Sequence, residues 1–217
     1  MASDVWLARH GETTWNVAGR YQGRMESALS TRGEQQGIAL AEAFAQRLVS
    51  GQSVPARIVS SPLVRCQATA RFTATRLGIS IELDARLIEI AHGTWEGRYR
   101  DELAANDAQR YRVWREDPAR ASFEGGESLV DVRDRWRAFA RDLAPRNEPT
   151  LVLTHDAVVR CALVDLEGRS LEDFWKTHVE NAAYAHIERE AGTLRLVREC
   201  VNDHLGALRA DVTTQAL

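Results

Sequence analysis

The sequence predicts a single α/β domain, a three-layer α/β/α sandwich built around a mostly parallel central sheet. Along the 217 residues, short apolar runs with the composition of buried strands alternate with longer segments whose apolar residues recur at helical spacing. This alternation is typical of a parallel sheet with helices on both faces. The sequence contains no internal repeat, low-complexity segment or linker, so we expect one domain over residues 1–206.

The apolar pattern predicts six strands and four main helices. The predicted strands are residues 5–8, 57–60, 81–83 and 150–154, with a hairpin of residues 183–190 and 194–199 that turns at Gly192. The predicted helices are residues 31–48, 61–78, 129–143 and 157–166, while residues 86–122 mix short helical stretches with loop. Residues 207–217 show no pattern, and we expect them to form a mobile tail.

Local signals predict where two of these helices begin. Thr31 and Glu34 have the spacing of a capping box, which predicts Thr31 as the N-cap of the first long helix. The buried face of that helix is expected to hold Ile38, Ala41, Phe44, Ala45 and Leu48. Ser61 is a candidate N-cap followed by Pro62, and proline is favoured at the first helical position. Gly78 marks the end of that second helix.

Composition argues against several classes of partner. The formal net charge is −3, so no overall basic character points to nucleic acid or to an anionic membrane. The three cysteines lie far apart, without the paired spacing of a zinc site or a redox pair. No basic leader with an apolar run opens the sequence, and no apolar stretch approaches the roughly 18 residues of a membrane helix. We therefore expect a cytoplasmic protein, with a homodimer as the default assembly.

Polar residues follow three of the predicted strands. Arg9 and His10 follow the first strand, Arg65 lies in the first turn of the helix after the second, and His155 follows the fourth. Ligands of open α/β sheets gather at this edge, and forked guanidinium groups match the oxygens of a phosphate dianion. A neutral imidazole is a competent nucleophile when an acceptor, here the backbone around Gly11, holds its other ring nitrogen. The pattern therefore predicts a phosphate site with His10 as the nucleophile.

A leaving alkoxide needs a proton, and Glu89 is the candidate donor. It lies between Ile88 and Ile90, in a loop after the third strand. An apolar setting beside a dianionic substrate raises the pKa of a carboxyl group and favours its acid form. The alternative is a structural ion pair for Glu89, with the proton supplied by Glu12 or Asp156.

A series of short motifs spans residues 5–160. In chain order they are LARHGETTWN (7–16), GRYQG (19–23), ALSTRGEQQG (28–37), SSPLVRCQATA (60–70), LIEIAHGTWEG (87–97), GGES (125–128) and LTHDAVVR (153–160). Each is short, but their order and spacing together are specific. The sequence resembles the histidine phosphatase superfamily, and within it the phosphatases of the phosphoglycerate mutase-like branch.

The resemblance implies a phosphoglycerate mutase-like fold and a phosphohistidine intermediate on His10, with Glu89 as the proton donor. It implies that the phosphoryl group is bound by Arg9, Arg65, His155 and Asn16. It implies no metal ion and no organic cofactor. The implied reaction is the hydrolysis of a small phosphorylated metabolite, such as a sugar phosphate or a phosphoglycerate-type monoester.

Two other functions are open: a phosphomutase of the same family and a non-catalytic, phosphate-binding regulatory protein. Mutases of the family use a long insertion after the acid-loop motif to exclude water, and the segment between Gly97 and Gly125 is too short for it. All the catalytic residue types that the resemblance implies are present, which argues against loss of turnover.

Substrate contacts are expected from Gln22, Gly23, Arg24, His92 and Asp156. Two of these depart from the family pattern, because His92 stands where many relatives have an aromatic residue and Asp156 where glycine commonly follows the second histidine. Asp156 either keeps His155 protonated or contacts a cationic or hydroxylated part of the substrate.

Overall fold

A six-stranded sheet lies at the centre of the computed structural model, which describes residues 3–216. The strands are β1 (Ser3–Arg9), β2 (Arg57–Ser60), β3 (Ile81–Leu83), β4 (Thr150–Thr154), β5 (Tyr184–Glu190) and β6 (Thr193–Val201). The helices are α1 (Thr14–Val17), α2 (Thr31–Val49), α3 (Val64–Leu77), α4 (Arg100–Asn106), α5 (Ala108–Glu116), α6 (Leu129–Leu143) and α7 (Asp156–Leu166). The strands lie in the order β3-β2-β4-β1-β5-β6.

The sheet is mixed but mostly parallel. Strands β3, β2, β4 and β1 run parallel to their neighbours, and the hairpin of β5 and β6 adds to β1 in the antiparallel direction. The predicted fold class, an α/β domain around a mostly parallel sheet, is confirmed.

Each face of the sheet has its own apolar core, because successive strand residues point to opposite sides. Leu7 and Val152 pack on one face with Trp136 of α6. Trp6 packs on the other face with Phe44 of α2. Helices α6 and α7 therefore cover one side and helices α2 and α3 the other, which gives the three layers.

The predicted N-cap of α2 is wrong by one residue. Ser30, rather than Thr31, is the N-cap, and its Oγ accepts a hydrogen bond from the backbone N–H of Gly33 at 3.0 Å. The side chain of Glu34 does not complete a capping box. The backbone N–H of Ser30 donates to the carbonyl of Glu12 at 2.9 Å, and this tertiary contact fixes which of the two adjacent hydroxyl residues caps the helix.

The predicted start of α3 is also wrong. The helix begins at Val64 with Leu63 as its N-cap, two residues after the predicted cap Ser61. The backbone N–H of Ser61 still donates to Leu153 of β4 at 2.9 Å, so the strand ladder extends through the residue expected to cap the helix. Arg65 nevertheless lies in the first turn, as predicted.

The buried face of α2 differs in part from the prediction. Ala41, Phe44 and Ala45 are buried as expected, but Ile38 and Leu48 are 48% and 56% exposed, and Leu40, which was not predicted for this face, is fully buried. Gly37 packs directly against Phe72 of α3, where a Cβ atom would lie 2.6 Å from the ring. This close approach sets the rotation of α2 and turns Ile38 outward.

The C-terminal segment returns to the sheet edge where the polar residues gather. Residues 207–216 include a 3₁₀ turn at Val212–Thr214, and the carbonyl of Thr213 accepts from Nη1 of Arg100 at 3.2 Å. Gln215 and Ala216 are buried. Residue 217 of the predicted tail lies outside the described residues. Among residues 3–216, no helix is long and apolar enough to cross a membrane.

We expect Leu40→Ala to lower the free energy of unfolding by about 2–5 kcal/mol, since it opens a cavity between α2 and the sheet. Ile38→Ala removes a side chain of equal size from the same helix, but from its exposed side, and should cost about 0.5 kcal/mol or less. Urea unfolding of the two variants measures the difference. Equal losses would show that α2 packs in a different rotation.

Candidate active site

His10 is the first residue after β1, and its own loop holds its ring. Nδ1 lies 2.7 Å from the carbonyl oxygen of Gly11, so Nδ1 carries the proton and Nε2 keeps its lone pair. Burial lowers the pKa of His10 well below its usual range, and the cations of Arg65 and Arg9 lower it further. The ring is therefore neutral at physiological pH, which is the form that a nucleophile requires.

Two glycines allow the His10 loop to contact the start of α2. A Cβ atom on Gly11 would lie 2.5 Å from the carbonyl oxygen of Gly33, and one on Gly33 would lie 1.9 Å from that of Glu12. Backbone carbonyls do not move out of the way as flexible side chains do, so both positions need glycine. The backbone N–H of Gly11 also donates to Oγ1 of Thr69 in α3 at 3.0 Å, which fixes the loop from the other side.

Arg9 and Arg65 are held in the same way: among residues 3–216, the terminal nitrogens of each guanidinium group contact protein acceptors, and Nε does not. The terminal nitrogens of Arg65 donate to the carbonyls of Gly23 at 2.7 Å and Met25 at 2.9 Å. Arg9 donates from Nη2 to Gln215 at 2.7 Å, and its Nη1 forms an ion pair that is described below. The Nε atom of each arginine is buried without an acceptor among the described residues. Two buried cationic donors are thus available to an anion.

These groups line one small cavity. Its lining residues are Arg9, His10, Asn16, Gln22, Gly23, Arg65, Glu89, His92 and Ala216. The structure therefore brings eight of the eleven residues predicted for the site to one cavity. The other three, Arg24, His155 and Asp156, are not among its lining residues.

The side-chain oxygens of Asn16 and Gln22 are both tied to Thr13. Oγ1 of Thr13 lies 3.0 Å from Oδ1 of Asn16 and 3.0 Å from Oε1 of Gln22, and the backbone N–H of Thr13 also donates to Asn16. Thr13 and Asn16 form the capping box of α1, so this short helix holds the amide in place. With their oxygens engaged, both amides offer N–H₂ groups to the cavity, which suits an anion.

Glu89 has the properties of a proton donor. Burial raises the pKa of its carboxyl group to about 7, against the opposing effects of Arg65 and of a hydrogen bond from the Ile90 N–H. Glu12, one of the alternative donors, accepts hydrogen bonds from Ser30 and Arg32 and does not line the cavity. Of the three carboxylates considered from the sequence, Glu89 is therefore the one placed to reach a bound substrate.

His155 lies beside His10, with ring centroids 5.3 Å apart. Its Nε2 is 2.8 Å from Oγ of Ser61 and 3.4 Å from Sγ of Cys66. Burial lowers the pKa of His155 well below its usual range, and Arg65 lowers it further. Sequence reasoning treated Ser61 as an N-cap and missed this contact, for which no local signal exists.

Asp156 has a role that the sequence did not suggest. Its carboxylate is fully buried, with Oδ2 paired to Nη1 of Arg9 at 2.9 Å and Oδ1 paired to Nε of Arg160. Arg160 is held in turn by the carbonyl and hydroxyl of Thr177. Asp156 thus links the strand-end arginine to α7, and both of its oxygens are engaged with protein cations.

His92 and Arg24 lie at different depths. His92 is buried edge-to-face against Tyr21 and Phe123, with ring centroids 5.0 and 4.7 Å away, and neither ring nitrogen has a partner among the described residues. Burial lowers the pKa of His92 to about 3, and Arg65 contributes to that decrease, so the ring is neutral. Arg24 is 42% exposed and pairs with Glu127 at 2.9 Å.

The C-terminal segment supplies a wall that the sequence did not predict. Gln215 accepts from Arg9 and donates from Nε2 to Asn181 at 2.8 Å, while Ala216 lines the cavity. The contact between Gln215 and Arg9 joins residues 206 positions apart in the chain. Neither residue type is distinctive, so no pattern in the sequence could have placed them there.

Two histidines and two arginines at the carboxyl ends of parallel strands define a phosphoryl-transfer enzyme on an α/β scaffold. The family model described as the histidine phosphatase superfamily (branch 1) matches residues 5–202. The chain belongs to this family, and it is a phosphomonoester hydrolase.

Named relatives and solved structures agree with this assignment. Phosphoserine phosphatase 1 of Hydrogenobacter thermophilus is 33% identical over 202 residues, which are 92% of this chain and 93% of the relative. Glucosyl-3-phosphoglycerate phosphatase of Mycolicibacterium vanbaalenii is 32% identical over 177 residues, 77% of this chain and 76% of the relative. The structure of YhfR from Bacillus stearothermophilus superposes with a TM-score of 0.85 at 28% identity, covering 94% of this chain and 99% of that one.

We expect Glu89→Gln to lower kcat by about 10²–10⁴-fold on an alkyl phosphate, because the leaving alkoxide loses its proton donor. The loss should be much smaller with p-nitrophenyl phosphate, since nitrophenolate leaves without a proton. In the unsubstituted protein, kcat/KM for the alkyl phosphate should fall as the pH rises through about 7, where Glu89 loses the required proton. Steady-state kinetics on both substrates measure this, and equal losses would contradict proton donation.

We expect Asp156→Asn to lower the free energy of unfolding by about 3–5 kcal/mol, because it leaves Arg9 and Arg160 buried without their counter-ion. Asp142→Asn breaks a pair between Arg86 and a carboxylate that is 66% exposed, and it should cost about 1 kcal/mol or less. Urea unfolding at neutral pH compares the two variants. Similar small losses would show that the buried pair does not stabilise the fold.

Proposed function

We propose that this chain hydrolyses a small phosphorylated metabolite, a sugar phosphate or a phosphoglycerate-type monoester, by way of phosphohistidine on His10 and without a metal ion. The observation that carries the proposal is the state of His10. Its Nδ1 is held by the carbonyl of Gly11, and its ring lines a cavity with two arginines whose Nε atoms have no acceptor in the part of the chain that the structure describes. A lone pair facing a cluster of anion-binding donors is the requirement for attack on a phosphoryl group.

The first half of the proposed reaction transfers the phosphoryl group to the protein. Nε2 of His10 attacks phosphorus, and the bond between phosphorus and the ester oxygen breaks. Glu89 gives its proton to the departing oxygen, so the alcohol leaves neutral and the carboxylate remains. Arg9, Arg65 and the amides of Asn16 and Gln22 stabilise the charge on the phosphoryl oxygens.

The second half returns the protein to its starting state. The Glu89 carboxylate takes a proton from water as that water attacks phosphorus. The N–P bond breaks, its electron pair returns to Nε2 of His10, and inorganic phosphate leaves. Glu89 is then protonated for the next cycle, which a pKa of about 7 permits at neutral pH.

The lining of the cavity supports a phosphorylated substrate. Two arginines and two amides lie beside His10, and this set of donors suits a phosphate ester. His92 lines the cavity and packs from behind on the rings of Tyr21 and Phe123, and Arg24 lies nearer to solvent. The relatives named for phosphoserine and for glucosyl-3-phosphoglycerate support a monoester that carries a carboxylate, and we propose His92 and Arg24 as groups that contact the part of the substrate beyond phosphorus.

The test is phosphate release from a panel of phosphorylated metabolites in the presence of EDTA. The panel contains phosphoserine, phosphoglycerates and sugar phosphates. We expect at least one to be hydrolysed, and we expect His10→Ala to lower that rate by about a thousandfold or more, because the nucleophile is lost. His178→Ala is the matched control: this histidine is 57% exposed, and its removal should leave the rate unchanged.

Several outcomes would contradict the proposal. Loss of activity in EDTA would indicate a metal-dependent reaction, and activity retained by His10→Ala would exclude phosphohistidine on that residue. Interconversion of phosphoglycerates without net phosphate release would identify a mutase. A wild-type protein that binds inorganic phosphate but turns over no member of the panel would favour a non-catalytic role.

A further inference from the structure

Ser61 lies between β2 and α3, fully buried against the ring of His155. Its backbone N–H donates to the carbonyl of Leu153 at 2.9 Å, and its Oγ accepts from the backbone N–H of Leu63 at 3.3 Å. The backbone on both sides therefore fixes the hydroxyl, which lies 2.8 Å from Nε2 of His155.

We propose that Ser61 is a positioning residue: it fixes the ring of His155 and stays hydrogen-bonded to it in both the neutral and the protonated form. This inference rests on the proposed function and adds to it the role that the sequence predicts for His155, which is to bind the phosphoryl group that His10 attacks. It goes further by naming the residue that lets His155 gain a proton when an anion binds.

A hydroxyl group suits this task because it can donate and accept. When His155 is neutral, the Ser61 hydroxyl donates to Nε2, while one Oγ lone pair remains with the Leu63 N–H. When His155 is protonated, Nε2–H donates to the second lone pair of Oγ. The change requires only rotation about the C–O bond, and Nδ1 is left to donate to a phosphoryl oxygen.

The neighbouring groups cannot substitute for Ser61. Cys66 lies 3.4 Å from Nε2, but its thiol is a weak partner and also lies 3.3 Å from the carbonyl of Thr154, to which it can donate. The other titratable and charged groups that act on His155 are His10, Arg9, Arg65 and Arg135, and their charged forms oppose a further positive charge. Protonation of His155 therefore depends on a bound anion and on the acceptor that Ser61 supplies.

Capping of helix α3 does not explain the presence of a hydroxyl group at Ser61. Helix α3 begins at Val64, and its N-cap, Leu63, makes no side-chain cap. The adjacent Ser60 is equally buried, but its hydroxyl donates to the carbonyl of Ser61 at 2.9 Å and makes no hydrogen bond to His155. Ser60 is thus a matched control of the same residue type and depth.

The experiment follows the His155 ring by ¹⁵N NMR while inorganic phosphate is added, with His155→Gln used to assign the signals. In the wild type we expect phosphate to raise the pKa of His155. In Ser61→Ala we expect the pKa of the phosphate complex to be about one unit lower, which corresponds to about a tenfold weaker affinity for phosphate. We expect a similar loss, about tenfold, in kcat/KM for the best substrate.

The controls separate positioning from packing. Ser60→Ala should change both quantities less than about twofold, and Ser61→Thr, which keeps the hydroxyl, should restore both toward the wild type. If Ser61→Ala does not fold, as judged by circular dichroism, Ser61→Cys takes its place, because a thiol is a weaker partner for the ring. An unchanged pKa in a folded Ser61→Ala or Ser61→Cys protein would overturn the proposal, and so would equal losses in Ser60→Ala.

Failure of the proposed function gives a different result. If the wild type shows protonation of His155 on phosphate binding but hydrolyses no monoester, the proposed function is wrong, and the role of Ser61 is still decided by the NMR comparison. If phosphate leaves the ring of His155 unprotonated in the wild type, the inference about Ser61 is wrong even when hydrolysis is observed.

Discussion

The register of three parallel strands determines where the two histidines of the candidate site and Ser61 lie. Strand β4 pairs with β1 on one side and with β2 on the other. In both pairs the backbone hydrogen bonds to β4 continue for one residue after the end of the neighbouring strand. His10 donates to the carbonyl of Thr154 at 3.0 Å, and Ser61 donates to that of Leu153 at 2.9 Å. His10, Ser61 and His155 therefore leave the sheet side by side. A shift of one residue in either pairing would turn these side chains to the opposite faces.

Two buried arginines, Arg9 and Arg65, place positive charge around these residues. Burial lowers the pKa of both Arg9 and Arg65, which reflects the free energy needed to keep guanidinium groups where solvation is poor. The same two cations lower the pKa of His10 and keep its lone pair available. A single electrostatic arrangement thus suits both the proposed anion site and the proposed nucleophile, and binding of a dianion in the cavity would offset the cost of the buried cations.

Much of this architecture could be predicted because it depends on short-range pattern. The strand at 150–154 is a continuous apolar run, and the motifs around His10, Arg65 and Glu89 follow strands whose ends must meet. What could not be predicted depends on tertiary contact. The choice of Ser30 over Thr31 as a cap follows from a hydrogen bond to Glu12, and the exposure of Ile38 follows from the packing of α2 on α3.

The residues that sequence reasoning missed share one property: their role is fixed by a partner far along the chain. Ser61 meets His155 across 94 positions, and Gln215 meets Arg9 across 206. Serine, glutamine and alanine are common in loops and carry no spacing signal, so neither Ser61 nor Ala216 could be distinguished from an ordinary connector. The same holds for Asp156, whose position was noticed as unusual but whose partners became clear only from the folded arrangement.

The surroundings of Arg9 show how these distant residues act on the chemistry. Its Nη1 is paired with Asp156 from α7 and its Nη2 with Gln215 from the C-terminal segment, so Nε is the nitrogen left without an acceptor among residues 3–216. In the proposed reaction, the direction in which Arg9 binds a phosphoryl oxygen is therefore set by the two residues that hold its other nitrogens. Since Arg160 holds Asp156 and Asn181 holds Gln215, the alignment of an anion with Nε2 of His10 depends on elements that never touch it. Ala216, which lines the cavity, is adjacent to Gln215 in the C-terminal segment. A movement of that segment would therefore change both the cavity wall and the orientation of the Arg9 side chain.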